Sequence, residues 1–192
     1  MGSWTNRVRL AIQGDARWIT CPLKRLARGE SILAAEIDDG QPWRKRIVRT
    51  LEANYGRATQ FERCMEFLMP LLESPETNLA AFNISAICAI AGRLGVTARF
   101  GRQSEVDSEG QATERLISIV KAVGGCAYLV GGGASGYQDD ELFRGAGIEV
   151  VYQRFVPESY GRPERYLPGL SVIDYLMHDG RPLAEAFPDR SR

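Results

Sequence analysis

Few residues in this chain are placed to do chemistry. Ser171-Val172-Ile173-Asp174 sets a hydroxyl and a carboxylate three residues apart, directly before an apolar run. That spacing fits a capping box with Asp in place of the usual Glu, in which both side chains tie up free N–H groups at a helix start. Capping accounts for both polar residues. The alternative is a catalytic Asp174, a held carboxylate acting as general base. His178, the only histidine, falls near the end of the same helix, where a protonated imidazole suits the helix dipole. No Ser–His–Asp or Cys–His arrangement can be assembled around it.

A second cluster is Gly131-Gly132-Gly133-Ala134-Ser135-Gly136-Tyr137, after the apolar stretch 127–130. Glycine lets the backbone come close to a ligand, and exposed N–H groups suit an anion such as phosphate. No Gly-Lys-Ser/Thr follows, so this is not a Walker A loop. A tight strand-to-helix turn explains the same residues. Arg102 and Arg115 lie around an earlier loop and could fork onto phosphate or carboxylate, or simply be solvated. The four cysteines lack any Cys-x-x-Cys, so with one histidine no zinc site of usual spacing is expected, and the identity of any cofactor stays open. They read as reduced core thiols. Tyr137, Tyr160 and Tyr166, with Trp4, could stack on a sugar or base, whereas Tyr55 and Trp43 fall on helices and are assigned to the core.

The totals narrow the classes. A chain of 192 residues with 44% hydrophobic and 25% charged residues is ordinary for one globular domain, here expected over 1–192. Lys+Arg and Asp+Glu both number 24, which argues against bulk electrostatic binding to nucleic acid or an anionic membrane. The most apolar stretch, 79–91, is shorter than a membrane span and contains Asn83 and Ser85. With no apolar leader core in the first residues, the expected compartment is cytoplasmic.

The elements that must position these groups follow from periodicity. Val8, Leu10 and Ile12 alternate before a turn at Gly14-Asp15, and Trp18 to Cys21 follows, so a β-hairpin is expected. A third strand is expected at 32–37. Helical spacing marks an insert over about 42–95, with segments at 43–55, 61–72 and one capped by Asn78 and stopped by Gly95. Beyond it the pattern predicts a strand at 96–100, a helix at 111–123, a strand at 127–130, a helix at 139–146 and a strand at 148–155. That alternation implies parallel crossovers. The expected fold is therefore α/β: a mainly parallel sheet with flanking helices, an N-terminal β-hairpin and a helical insert. A helix at 171–180 and a loosely packed tail over about 181–192 complete it.

Six segments in order resemble the WbqC-like family of bacterial proteins: residues 4–10 (WTNRVRL), 18–23 (WITCPL), 43–46 (WRKR), 55–58 (YGRA), 128–134 (YLVGGGA) and 167–176 (LPGLSVIDYL). The resemblance implies an enzyme of surface polysaccharide (O-antigen) biosynthesis, a transferase moving an aminoacyl or acyl group onto a nucleotide-linked amino sugar. Its candidates here are Asn6, Arg7, the loop Gly131, Gly132 and Gly133, Tyr160, Ser171 and Asp174. The loop's N–H groups would hold phosphate or an oxyanion, Arg7, Arg102 or Arg115 would neutralise charge, and Asp174 would be the base. The alternative is a non-catalytic nucleotide-sugar or partner-binding member of a polysaccharide biosynthesis complex. The expected partners are a nucleotide-linked sugar or other small phosphorylated substrate and polysaccharide-biosynthesis enzymes, with no nucleic acid and no membrane insertion. The family pattern differs at three points: an N-terminal Gln-Pro-x-Tyr-x-Pro-Trp-like segment expected to be missing here, a His where this chain has Arg46, and a Ser where it has Val130.

Overall fold

The computed structural model of the protein describes residues 5–25, 31–131, 138–153, 156, 158–161 and 163–187. It is a mixed helix and strand structure with two compact units, one of Met1–Thr97 with Glu158–Arg192 and one of Ala98–Pro157.

The first unit opens with the hairpin. Strand β1 (Arg7–Ile12) pairs antiparallel with β2 (Asp15–Thr20), Ile12 opposite Asp15. The two-residue turn is Gln13-Gly14 rather than Gly14-Asp15. Both have positive φ, 53° and 86°, as the twist of a tight hairpin demands. A side-chain carbonyl from the next helix steadies the strained Gln13, whose N–H donates to Asn54 Oδ1 at 3.1 Å.

Three helices follow: α1 (Trp43–Tyr55), α2 (Phe61–Leu72) and α3 (Leu79–Arg93). Asn78 caps α3 as its sequence predicts, accepting from the Ala81 N–H at 2.9 Å. Gly95 ends it with φ +74°. The strand expected at 32–37 is instead a 3-10 turn at Ile32–Ala34 followed by single bridges, Leu23 to Ile37 and Glu36 to Asn78. Ala35 and Ile37 are fully buried there beside Trp43 and Leu79. The main core of the unit joins Leu10 of β1, Leu51 and Tyr55 of α1, Cys64 and Leu68 of α2, and Tyr175, Leu176 and Met177 of the late helix α6 (Val172–His178). Leu183 and Ala186 of α7 (Leu183–Ala186), with Phe187, pack against the same core.

The second unit contains α4 (Ala112–Ala122), β3 (Ala127–Val130), α5 (Asp140–Gly145) and β4 (Glu149–Tyr152). β3 and β4 run parallel with α5 as their crossover. Phe143 of α5 is completely buried with Val120 and Ile148, its ring stacked on Tyr128 at 5.0 Å. The mainly parallel sheet expected from the strand–helix alternation does not form among the described residues, which hold two two-stranded sheets. Among the described residues parallel pairing is confined to β3 and β4, and 96–100 forms no strand. Those five residues are all exposed, so no packing repays the cost of ordering them as a strand.

Two of the four cysteines depart from the core reading. Cys64 is buried and Cys21 partly so, whereas Cys88 and Cys126 are exposed. Burial pushes both the Cys64 and the Cys21 thiols up to about 11. At pH 7.5 a maleimide should label Cys88 and Cys126 first and reach Cys64 only after unfolding, which peptide mass mapping against time would read. Equal labelling rates at Cys64 and Cys88 would contradict this placement.

Candidate functional site

The open edge of β1 sets the geometry of the first unit's polar centre. Arg9 and Ala11, two residues apart, turn their backbone groups to the same side. The Arg9 carbonyl accepts from the Ser171 N–H at 2.8 Å, and the Ala11 N–H donates to the Tyr55 hydroxyl at 2.8 Å. Tyr55 in turn donates to Asp174 Oδ1 at 2.8 Å. A strand edge, the last residue of α1 and the first turn of α6 are thus joined by one hydroxyl.

Ser171 does cap α6, its Oγ accepting from the Ile173 N–H at 3.4 Å. Asp174 does not complete a capping box. Its carboxylate turns inward, 5% exposed, in a helix whose residues 174–177 are all buried. Its interaction partners gather from distant segments. The Tyr55 phenol is driven well above its ordinary value, first by burial and then by its hydrogen bond to Asp174. The Tyr160 phenol is driven up likewise, first by burial and then by the Asp174 charge. Tyr160 packs edge-on against Tyr166 and Tyr175, at 5.3 and 5.2 Å.

His178 completes the cluster. Its Nδ1 lies 2.9 Å from the Asp174 backbone carbonyl and 3.7 Å from Asp174 Oδ2. A carbonyl can only accept, so Nδ1 carries the proton and Nε2 is the acceptor of the neutral ring. The imidazole meets Tyr55 edge-on at 5.7 Å and is 34% exposed as a side chain. Gly161, at φ +67°, lies against it so closely that a Cβ would fall 3.0 Å from His178 Cβ. The arrangement is a buried carboxylate among two phenols and an imidazole, with His178 and Tyr160 partly exposed. Such a set can accept and pass a proton.

The other sequence candidates separate by unit. Asn6 sits at the foot of the hairpin, its Nδ2 donating to the Cys21 carbonyl at 2.9 Å. Arg7 stacks on Trp18, with its guanidinium carbon 4.2 Å from the ring centroid. In the second unit, exposed Arg102 pairs with Glu105 at 3.7 Å, and Arg115 Nε donates to the Gly110 carbonyl at 3.0 Å. Gly131 follows β3 with open space where a Cβ would stand. Gly132 and Gly133 lie outside the described residues. Tyr55 and His178 were missed as site residues. The Asp174–His178 spacing of four, which puts both on one helix face, was the available signal for His178. Tyr55 is 119 residues away and carries no local signal.

The model of the WbqC-like protein family matches residues 1–185 of the chain. A protein of Mycobacterium tuberculosis (strain ATCC 25618 / H37Rv), named Uncharacterized protein Rv1507c, is 30% identical over 195 residues, which cover 98% of this chain and 81% of the relative. No solved structure matches the chain. Among the described residues no helix is long and apolar enough to cross a membrane.

Replacing Tyr55 by Phe strips a partner from both Ala11 and Asp174, and should lower stability at pH 7 by about 1–3 kcal/mol in urea denaturation. The folded phenol lies above its unfolded value of about 10, so the stability it confers is full below that pH and falls as pH rises past it. The decline above pH 10 should be shallower in Tyr55→Phe than in the parent protein. Identical urea midpoints for the two proteins at pH 7 would show that the hydroxyl bridge contributes nothing.

Proposed function

The chain belongs to the WbqC-like protein family, and from that premise we propose that it is a cytoplasmic transferase that moves an aminoacyl or acyl group onto the amine of a nucleotide-linked sugar in bacterial surface polysaccharide assembly. The observation that carries the reading is the buried Asp174 carboxylate, held by Tyr55 beside Tyr160 and His178. In an acyl transfer the amine nitrogen bonds to the acyl carbon, the bond from that carbon to its leaving group breaks, and the amine must shed a proton. Asp174 serves as the final acceptor of that proton. Because it is itself almost sealed from solvent, the proton travels by way of Tyr160 or His178, the partly exposed members of the cluster.

Ser171 and Asn6 hold backbone around this centre. Asn6 closes the open end of the hairpin, and Ser171 fixes the start of α6 against β1. The second unit, taken by itself, offers Gly131, Gly132 and Gly133 with Arg102 and Arg115 as candidate contacts for a phosphate. The exposed arginines there are joined to acid or carbonyl partners weak enough to be exchanged for a ligand.

A second reading has support of its own. Asp174 already has a hydrogen-bond donor and is buried, which is also what a purely structural carboxylate requires. The chain would then be a non-catalytic nucleotide-sugar or partner-binding protein of a biosynthetic complex.

Asp174→Asn separates the two, since an amide keeps an acceptor for Tyr55 but cannot take the proton. With an activated acyl donor and a nucleotide-linked amino sugar, amide formation followed by mass spectrometry should fall about 100- to 10,000-fold in the variant, with substrate binding kept. Turnover equal to the parent would remove Asp174 from the chemistry. A parent protein that binds nucleotide sugar, in a manner lost in Gly131→Val, and yet transfers nothing from any acyl donor would leave the binding reading standing.

A further inference from the structure

The face of the hairpin that bears Arg7 and Arg9 holds an unmet demand for an acceptor. The two side chains are two residues apart on β1 and therefore share one face, roughly 7 Å apart along the strand. Trp18 of β2 stands directly opposite Arg9 and diagonal to Arg7. Its ring lies under the Arg7 guanidinium, 4.2 Å from centroid to carbon, and 6.0 Å from that of Arg9. The indole orients both forks, leaving their N–H edges free of carboxylates. Neither Arg7 nor Arg9 forms an ion pair with a described residue, and Trp18 is the group their guanidinium carbons approach.

Arg7 Nε is the sharper observation. Among the described residues it is the one buried side-chain nitrogen or oxygen without a hydrogen-bond partner. A donor withdrawn from water and left unmatched is costly, and such groups mark a missing partner. Beside the pair lies Gly169, with φ +72° and a Cβ position 3.6 Å from Arg9 Nη1, so backbone without a side chain borders the second guanidinium. Arg9 itself is anchored through its carbonyl to the Ser171 N–H.

We propose that Arg7 and Arg9, set on Trp18 and bordered by Gly169, form a binding site for a diphosphate group, one guanidinium to each phosphate. Two forks at this spacing match two linked oxyanions better than a single carboxylate, each guanidinium offering its terminal N–H groups to one phosphate. The inference rests on the proposed function only in taking the substrate to be phosphorylated.

Calorimetric titration of the full chain with inorganic pyrophosphate tests it. Saturable binding that weakens with added salt is expected, reduced about tenfold or more in Arg9→Gln. Arg7→Lys is the discriminating variant, because it keeps the charge but has no guanidinium fork. It should bind nearly as weakly as Arg7→Gln, while Arg17→Gln, on the same hairpin, should bind like the parent. Binding by Arg7→Lys and Arg9→Gln equal to the parent would overturn the site, as would no binding by the parent up to about 10 mM. Malonate binding as tightly as pyrophosphate would overturn the diphosphate assignment. Circular dichroism of each variant without ligand separates lost binding from lost fold. A chain that binds pyrophosphate here but transfers no acyl group keeps this inference and loses the transferase. The reverse pair of results loses only this inference.

Discussion

A carboxylate can be buried only where something else is made to hold it, and in this protein that something is the Tyr55 hydroxyl. It accepts from the Ala11 backbone and donates to Asp174, so one oxygen spans a strand, a helix end and a helix start. The apolar core of the first unit supplies the bulk attraction but does not specify which residues meet. The hydroxyl does specify it, because any slip of α6 relative to β1 would strand a charge and a strand N–H at once. The second contact across the same edge, Ser171 to Arg9, holds the slip to a single register.

Much of this structure is legible in the sequence, and the failures have a common cause. Local signals located the hairpin, the three middle helices, the Asn78 cap and the strand at Ala127–Val130, each specified by its own neighbours. The parallel sheet that composition suggests is absent among the described residues because 96–100 and 32–37 have strand-like composition without strand partners. Val96 and Phe100 are exposed, and Ala35 and Ile37 are fully buried where only single bridges, at Glu36 and Ile37, replace a strand. β-propensity reports a surface on which a side chain would fit, and the surface has to exist.

The polar centre was half visible. The four-residue step from Asp174 to His178 is a helical neighbour relation, and Ser171 was recognisable as a cap. That Asp174 would turn inward rather than back onto the cap depended on Tyr55 arriving from a distant helix, and on Tyr160 from a loop. Such meetings are decided by packing, and packing between remote segments leaves no mark in a short window of sequence. Family resemblance points to Tyr160 and Asp174 separately, and the fold brings them close enough for the Asp174 charge to raise the Tyr160 phenol.

The occupied edge of β1 also governs how this chain meets other chains. A two-stranded hairpin ordinarily offers two open borders on which a foreign strand can extend the sheet, the route to swapped and aggregated forms. Here the border along β1 is closed by the serine N–H and the tyrosine hydroxyl, and a recruited strand would have to displace both before forming its first bond. On β2 the charged Asp15 and Arg17 discourage the same approach. The residues that assemble the polar centre therefore double as a guard on solubility, and a variant that loosens them exposes a template for self-association.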